Sequence, residues 1–336
     1  MINRSSTFTG ILFGLITGAA WGLSFLIPNM LSDFSSLEIT IGRYFVYGLY
    51  SLMLFFVYKS KRKTLSLSPK VWFWSLLYAL SGNIGYFFFL VLGIQYAGAT
   101  VTTLIIGTLP LTISFFGNLI NREFPFKIML IPASSILIGI LLMYFREKGN
   151  GVNLSSDGFL FGFFCCMVAL ALWTWYGISN SNFLKRETQL SADLFATIIG
   201  VQTLFLVLLF MLICWIAQVP IVEKLVIHDQ FLHYLIGVTV LGIVTSWVAA
   251  WAWNQASVRL PVVLVGMIVV FETLFGLLYS YIYHARFPAV LEWGSIIFIL
   301  LGVTMGIWRI SVYKHASQIK ERETLEVNRM KQKIHS

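Results

Sequence analysis

Charge is what this sequence has least of. Only 11% of its 336 residues are charged, against 58% that are apolar. An ordinary soluble domain is about 25% charged and about 45–50% apolar. A water-facing surface for so long a chain needs more charge, which argues against a soluble globular enzyme. Cysteine is nearly as scarce. Cys165, Cys166 and Cys214 all lie in apolar runs; adjacent Cys165 and Cys166 make a poor disulfide pair, and no C-x-x-C spacing occurs. Neither a disulfide scaffold nor a metal site is expected, and no cofactor is called for. The first apolar run continues to about Met30 without a short core and a small-residue cleavage site, so no cleavable signal peptide is expected. Ten-residue stretches of alternating polarity are missing too, which speaks against a β-barrel.

What remains is a series of long apolar runs. At roughly 20 residues per span, the length allows ten. They run over about 7–30, 37–58, two spans between 71 and 121 broken near Tyr96-Ala97-Gly98, 126–145, 158–178, 194–217, 231–255, 260–283 and 290–310. With the N-terminus inside, eighteen of the 23 basic residues fall on the inner side, among them the loop Lys59, Lys61, Arg62, Lys63 and Lys70 and the tail after Arg309. Arg146, Lys148, Lys224, Arg286 and Arg43 fall outside or near the outer end. Positive loops stay cytoplasmic, so both termini are expected inside. The basic balance, +9, is explained by topology, and no nucleic-acid partner is expected.

The polar segment 146–157 leaves five spans on either side. Five is odd, so the second half must enter the bilayer upside down, an inverted-repeat arrangement common among transporters. The expected fold is an all-α integral membrane protein of ten transmembrane helices in two inverted five-helix repeats, residues 7–145 and 158–310, followed by a cytoplasmic basic tail, 311–336. Internal matches are sparse. Gly10 and Trp21 correspond to Gly162 and Trp173, and Phe124-Pro125 to Phe287-Pro288; a competing offset pairs Gly107, Phe116 and Gly117 with Gly266, Phe275 and Gly276.

Several segments together resemble the drug/metabolite transporter superfamily, specifically its EamA-type ten-helix permeases. They are Ala20-Trp21-Gly22-Leu23-Ser24-Phe25 with Pro28, Arg43, Thr108-Leu109-Pro110-Leu111, Arg122-Glu123, Trp253-Asn254-Gln255-Ala256, Arg259-Leu260-Pro261 and Glu272. The resemblance covers about residues 10–308. It implies a secondary transporter in the plasma membrane, the bacterial inner membrane in particular, exporting small metabolites such as amino acids or related compounds. The family often has proline directly after the helix 9 glutamate; here Thr273 stands there, which leaves a helix 9 kink open while one at Pro110 is expected.

Of fourteen acids, Glu272 alone sits near the centre of an apolar span. A charge there costs about 2.5–3.5 kcal/mol on insertion scales and marks a functional candidate. It is read as a proton-coupling carboxylate or an amine contact, against a neutral acid hydrogen-bonded between helices. Arg43 could hold a substrate carboxylate or pair with Glu272; the alternatives are a snorkelling side chain or neutralisation by Asp33 or Glu38. Pro110 frees a backbone carbonyl in mid-span and is a hinge candidate or a static kink. An aromatic and polar set is expected to meet the solute: Trp21, Ser24, Asn83, Tyr86, Trp173, Tyr176, Ser246, Trp247, Trp251 and Asn254. Rings bind apolar or cationic parts and amides fix polar groups; many tryptophans instead form interfacial belts. The glycines at 10, 14, 18 and 22, at 158 and 162, and at 302 and 306 point to close helix packing, within one chain rather than at a dimer seam. The expected partners are a small-molecule substrate, the lipid bilayer and protons, with monomer and homodimer both open. A passive facilitator of the same solutes is the first alternative, with a scaffold or an intramembrane enzyme behind it. An intramembrane enzyme lacks any paired acid, histidine pair or activated nucleophile.

Overall fold

The computed structural model describes residues 4–31, 33–57, 68–97, 102, 105–148, 158–218, 230–285 and 287–334. Basic Lys59, Lys61, Arg62, Lys63, Lys224 and Arg286, the break at Gly98, and residues 149–157 of the polar divider lie outside the described residues.

Every regular element among the described residues is helical. They are α1 (Arg4–Met30), α2 (Ser36–Val57), α3 (Pro69–Ala97), α4 (Leu109–Asn121), α5 (Phe126–Lys148), α6 (Phe159–Arg186), α7 (Ala192–Ile216), α8 (Phe231–Arg259), α9 in two pieces (Val262–Ile268 and Val270–Tyr283) and α10 (Val290–Ile334). Eight are long and apolar enough to cross a bilayer; in α5 the apolar stretch is shorter, Phe126–Leu142. Water is absent from a bilayer core, so a spanning segment must satisfy its own backbone polar groups, which a helix does. Large apolar side chains such as Leu160, Phe164, Trp215 and Ile282 are exposed on the outside of the bundle, an arrangement suited to lipid rather than water. The tail is helical: α10 runs on without interruption past Ile310 to Ile334.

Three helix starts are fixed by carboxylates. At α2, Glu38 Oε2 accepts from the Ser35 N–H at 2.7 Å and Ser35 Oγ accepts from the Glu38 N–H at 3.2 Å, a reciprocal capping box. At α10, Glu292 reaches back to the Ala289 N–H at 2.7 Å. The cap of α9 comes from far along the chain. Glu123, just after α4, accepts from the N–H groups of Val262 and Val263 at 3.0 and 3.2 Å. Removing it leaves two N–H groups without an acceptor in a buried seam, each worth about 1–3 kcal/mol. Glu123→Ala is therefore expected to lower the melting temperature of the detergent-solubilised protein. Glu123→Gln, which keeps one acceptor oxygen, should fall between it and the parent.

The packing is paired. Helix α1 lies against α8 and α9, α2 against α7 and α8, α3 against α6, α4 against α9, and α5 against α10. The glycine stripe of α1 lies along α9 and the residue pair before it: Gly10 meets Leu260, Gly14 Ile268, Gly18 Phe271 and Gly22 Gly276. Gly162 meets Ala97, and Gly302 and Gly306 meet α5 and Met267. These stripes are used within one chain.

Three helices carry irregular turns. In α3, residues Leu80–Ile84 form a π-turn, and in α8 residues Ile243–Val248 do the same. The two begin 163 positions apart, as do Phe124-Pro125 and Phe287-Pro288. In the first, the Gly85 N–H bonds back to the Leu80 carbonyl. A Cβ on Gly85 would lie 2.6 Å from that oxygen, a close approach that glycine relieves at this turn. Helix α9 breaks at Val269, without a proline. Val269 N–H bonds Gly266 O at 3.2 Å and Glu272 N–H bonds Val269 O at 3.0 Å, both three residues back. The same pair of bonds precedes α4, Thr108 to Ile105 O at 3.1 Å and Leu111 to Thr108 O at 2.9 Å. Pro110 sits in the first turn of α4, where its missing N–H costs nothing. The break at Thr108 thus lies just before the proline, and the absence of a proline from α9 does not prevent its counterpart.

Candidate functional site

The rings meet first. Trp21 of α1, Trp173 of α6 and Trp253 of α8 form a triangle with centroids 5.3, 5.5 and 5.6 Å apart. Tyr86 of α3 lies 6.3 Å from Trp173, and Tyr176 lies 5.7 Å from it. These are ordinary aromatic contact distances. Trp21 and Tyr86 stay partly exposed while Trp173, Tyr176 and Trp253 are buried behind them.

The break at Val269 places Glu272 in the first turn of the second piece of α9. Its side chain is partly accessible. Among the described residues it accepts no hydrogen bond and has no ion pair within 4 Å, so a neutral acid tied between helices is not what the geometry shows. Arg43 of α2 and Tyr86 both lie within electrostatic reach of it. Arg43 donates from Nε to Ser246 Oγ at 3.0 Å and from a terminal nitrogen to the Thr245 carbonyl at 3.5 Å. Neither Glu38 nor Asp33 neutralises it among the described residues; Glu38 is occupied by its capping box. Asn83 donates to Thr203 Oγ1 at 2.9 Å, and Tyr44 donates to the Asn83 carbonyl at 3.4 Å. Trp21, Arg43, Asn83, Tyr86 and Glu272 thus form one connected, partly open group deep in the bundle.

Other expected residues stand apart from it. Asn254 is fully enclosed, accepting from Asn180 at 2.9 Å and donating to the Ala192 carbonyl at 3.3 Å. Trp247 donates to Thr197 Oγ1 at 3.1 Å and packs on Tyr50. Trp251 packs edge-on against Phe13, which also carries the Arg259 guanidinium. Ser24 Oγ is enclosed with no hydrogen-bond partner. Exposed Trp293 and Trp308 fit an interfacial belt. Tyr44, Thr203 and Thr245 were not singled out in the sequence. The only signal for Thr203 was a polar residue in the apolar run of α7, and nothing distinguished it from Thr197 or Gln202. Among the described residues no group of three or more His, Cys, Asp or Glu could hold a metal.

Comparison with known proteins agrees with this picture. The EamA-like transporter family model matches residues 8–145. The inner membrane protein YtfF of Escherichia coli (strain K12) is 29% identical over 306 residues, covering 89% of this chain and 95% of that protein. A crystal structure that is 18% identical matches with a TM-score of 0.71, over 90% of this chain and 96% of that one, which shows a shared fold. Membrane-length helices around a polar interior and a family match on the first half converge: this is an integral membrane protein whose residues 8–145 are similar to the EamA-like transporter family.

Proposed function

We propose that the chain is a secondary transporter of the inner membrane, exporting small metabolites, with amino acids and related compounds foremost. It works by rocking two inverted five-span halves, residues 7–145 and 158–310, around the chamber lined by Trp21, Arg43, Asn83, Tyr86 and Glu272. Ten spans then cross the bilayer with both termini in the cytoplasm. Several observations support the two-half reading. The π-turns of α3 and α8 begin 163 residues apart. The breaks before α4 and within α9 share one bonding pattern. Trp21 and Trp173, which correspond between the halves, are in contact at 5.3 Å, as residues flanking a two-fold axis would be. Helix interruptions of this kind are tolerated in a membrane where they line a cavity.

The observation that carries the transport reading is the Glu272 carboxylate. It is accessible and unpaired among the described residues, one turn past a helix break, opposite a guanidinium. A costly group kept in the membrane without a structural partner is positioned for a proton or a solute amine. Purified protein in proteoliposomes with an imposed pH gradient provides the test. Radiolabelled amino acids should accumulate beyond equilibrium. Equilibration without accumulation would replace the coupled cycle with passive facilitation, and no protein-dependent flux of any amino acid would remove the substrate class.

A further inference from the structure

The two π-turns do the same work at the same level of their helices. The fourth residue is Asn83 in the first and Ser246 in the second. Each takes part in a hydrogen bond that crosses from one half to the other. Asn83 of α3 donates to Thr203 of α7 at 2.9 Å, and Ser246 of α8 accepts from Arg43 of α2 at 3.0 Å. π-Turns recur at functional sites because the extra residue re-aims the side chains of that turn.

A hydroxyl has a single proton to give, and in both pairs it is already spent. Thr203 Oγ1 donates to the Ile199 carbonyl at 2.9 Å, so towards Asn83 it can only accept. That fixes the amide: Nδ2 turns to Thr203, and Oδ1, which has no hydrogen-bond partner among the described residues, turns away from it. Ser246 Oγ donates to the Leu241 carbonyl at 3.0 Å, five residues back across the widened turn, so towards Arg43 it too can only accept. It takes Nε and leaves the terminal nitrogens of the guanidinium free to bond elsewhere, one of them only loosely, at 3.5 Å, to Thr245. Asn83 and Tyr86, three apart on α3, share a face. Tyr44, next to Arg43, touches the Asn83 carbonyl.

We infer that Thr203 and Ser246 are positioning residues of the chamber. By committing their protons to their own helices, they turn an acceptor at Asn83 and donors at Arg43 toward a bound solute. That solute brings a hydrogen-bond donor to the first and an anionic group to the second; an amine and a carboxylate on one small skeleton satisfy both. This rests on the transport reading above and adds to it the two residues that set the polarity of recognition.

The test compares L-leucine with 4-methylpentanoate, the same skeleton without the amine, by isothermal titration of the purified full-length protein. The parent should bind L-leucine more tightly by about tenfold, as expected for one hydrogen bond to a charged donor. Thr203→Val keeps the shape but removes the acceptor, so the amide is free to turn over and the preference should fall toward one. Thr203→Ser restores a hydroxyl and should restore the preference. A merely structural role for Thr203 would weaken both ligands alike and leave their ratio unchanged; that result overturns the inference while the transport reading stands. A parent that binds neither compound, or binds both equally, also overturns the inference, while the transport reading stands or falls on the flux measurement.

Discussion

Glu272→Gln is expected to abolish pH-driven accumulation of solute in proteoliposomes while leaving exchange of solute across the membrane intact. A pH difference of one unit is worth about 1.4 kcal/mol per proton, enough to sustain roughly a tenfold solute gradient in a one-to-one exchange. Glutamine has nearly the same shape and neither gains nor loses a proton. The tenfold ratio should therefore fall to one, whichever direction the gradient is imposed. The substitution removes no hydrogen bond or ion pair from the described residues, so folding and yield should be unchanged. Counterflow, in which labelled solute enters against unlabelled solute already inside, needs the chamber and the rocking motion and no proton. It should persist at a rate within a few-fold of the parent. Accumulation retained in the variant would remove Glu272 from the coupling role. Loss of counterflow as well would make it a solute ligand instead, and the amine contact would be the better description.

Glu272 could be picked out in the sequence because its anomaly is local. One acid in an apolar span stands out against a background with almost no charge. Depth in the span separates Trp21 and Trp247 from belt tryptophans, but depth alone does not say what a ring meets: Trp21 touches Trp173, while Trp247 is hydrogen-bonded to Thr197. Asn254 shows where that reasoning ends. It too is a polar group at depth, yet its amide is consumed by Asn180 and Ala192. Whether a buried amide faces a cavity or a neighbour depends on helix rotation and partner choice, and neither is written in one helix alone. The π-turns were invisible for another reason. A single extra residue in a turn leaves the length and overall hydropathy of a span unchanged. Only Gly85, where a side chain would strike the Leu80 carbonyl, leaves a trace of it in the sequence.

The break in α9 follows the same logic. Proline is one way to interrupt a helix, and its absence at Thr273 said nothing about the others. Val269 is held by two three-residue bonds, matching those around Thr108, and what allows the distortion is the partner surface. Helix α1 presents glycine where α9 bends.

That surface carries the largest expected effect on stability. A Cβ on Gly18 would lie 2.6 Å from Phe271 Cβ, 3.0 Å from the Phe271 carbonyl carbon and 3.1 Å from the Glu272 nitrogen. On Gly22 it would lie 2.8 Å from the backbone nitrogen of Gly276 and 2.8 Å from Phe275 Cβ. Backbone atoms cannot swing aside as a side-chain tip can, so the helices must separate. Overpacking by one methyl in such a seam costs about 1–3 kcal/mol, and a leucine costs more because it forces the whole pair apart. Gly18→Leu and Gly22→Leu should therefore fail to yield monodisperse protein in detergent. Gly18→Ala should fold with a lowered melting temperature and should also impair accumulation, since the atoms it displaces are those that set the position of Glu272. Gly177→Ala is the matched control: its nearest new contact, 3.4 Å from Ile113 Cδ1, is ordinary packing. If Gly18→Ala loses stability and keeps full coupling, then α1 holds α9 in place without tuning its carboxylate. Loss of both together places the glycine stripe of α1 among the elements that aim Glu272 into the chamber.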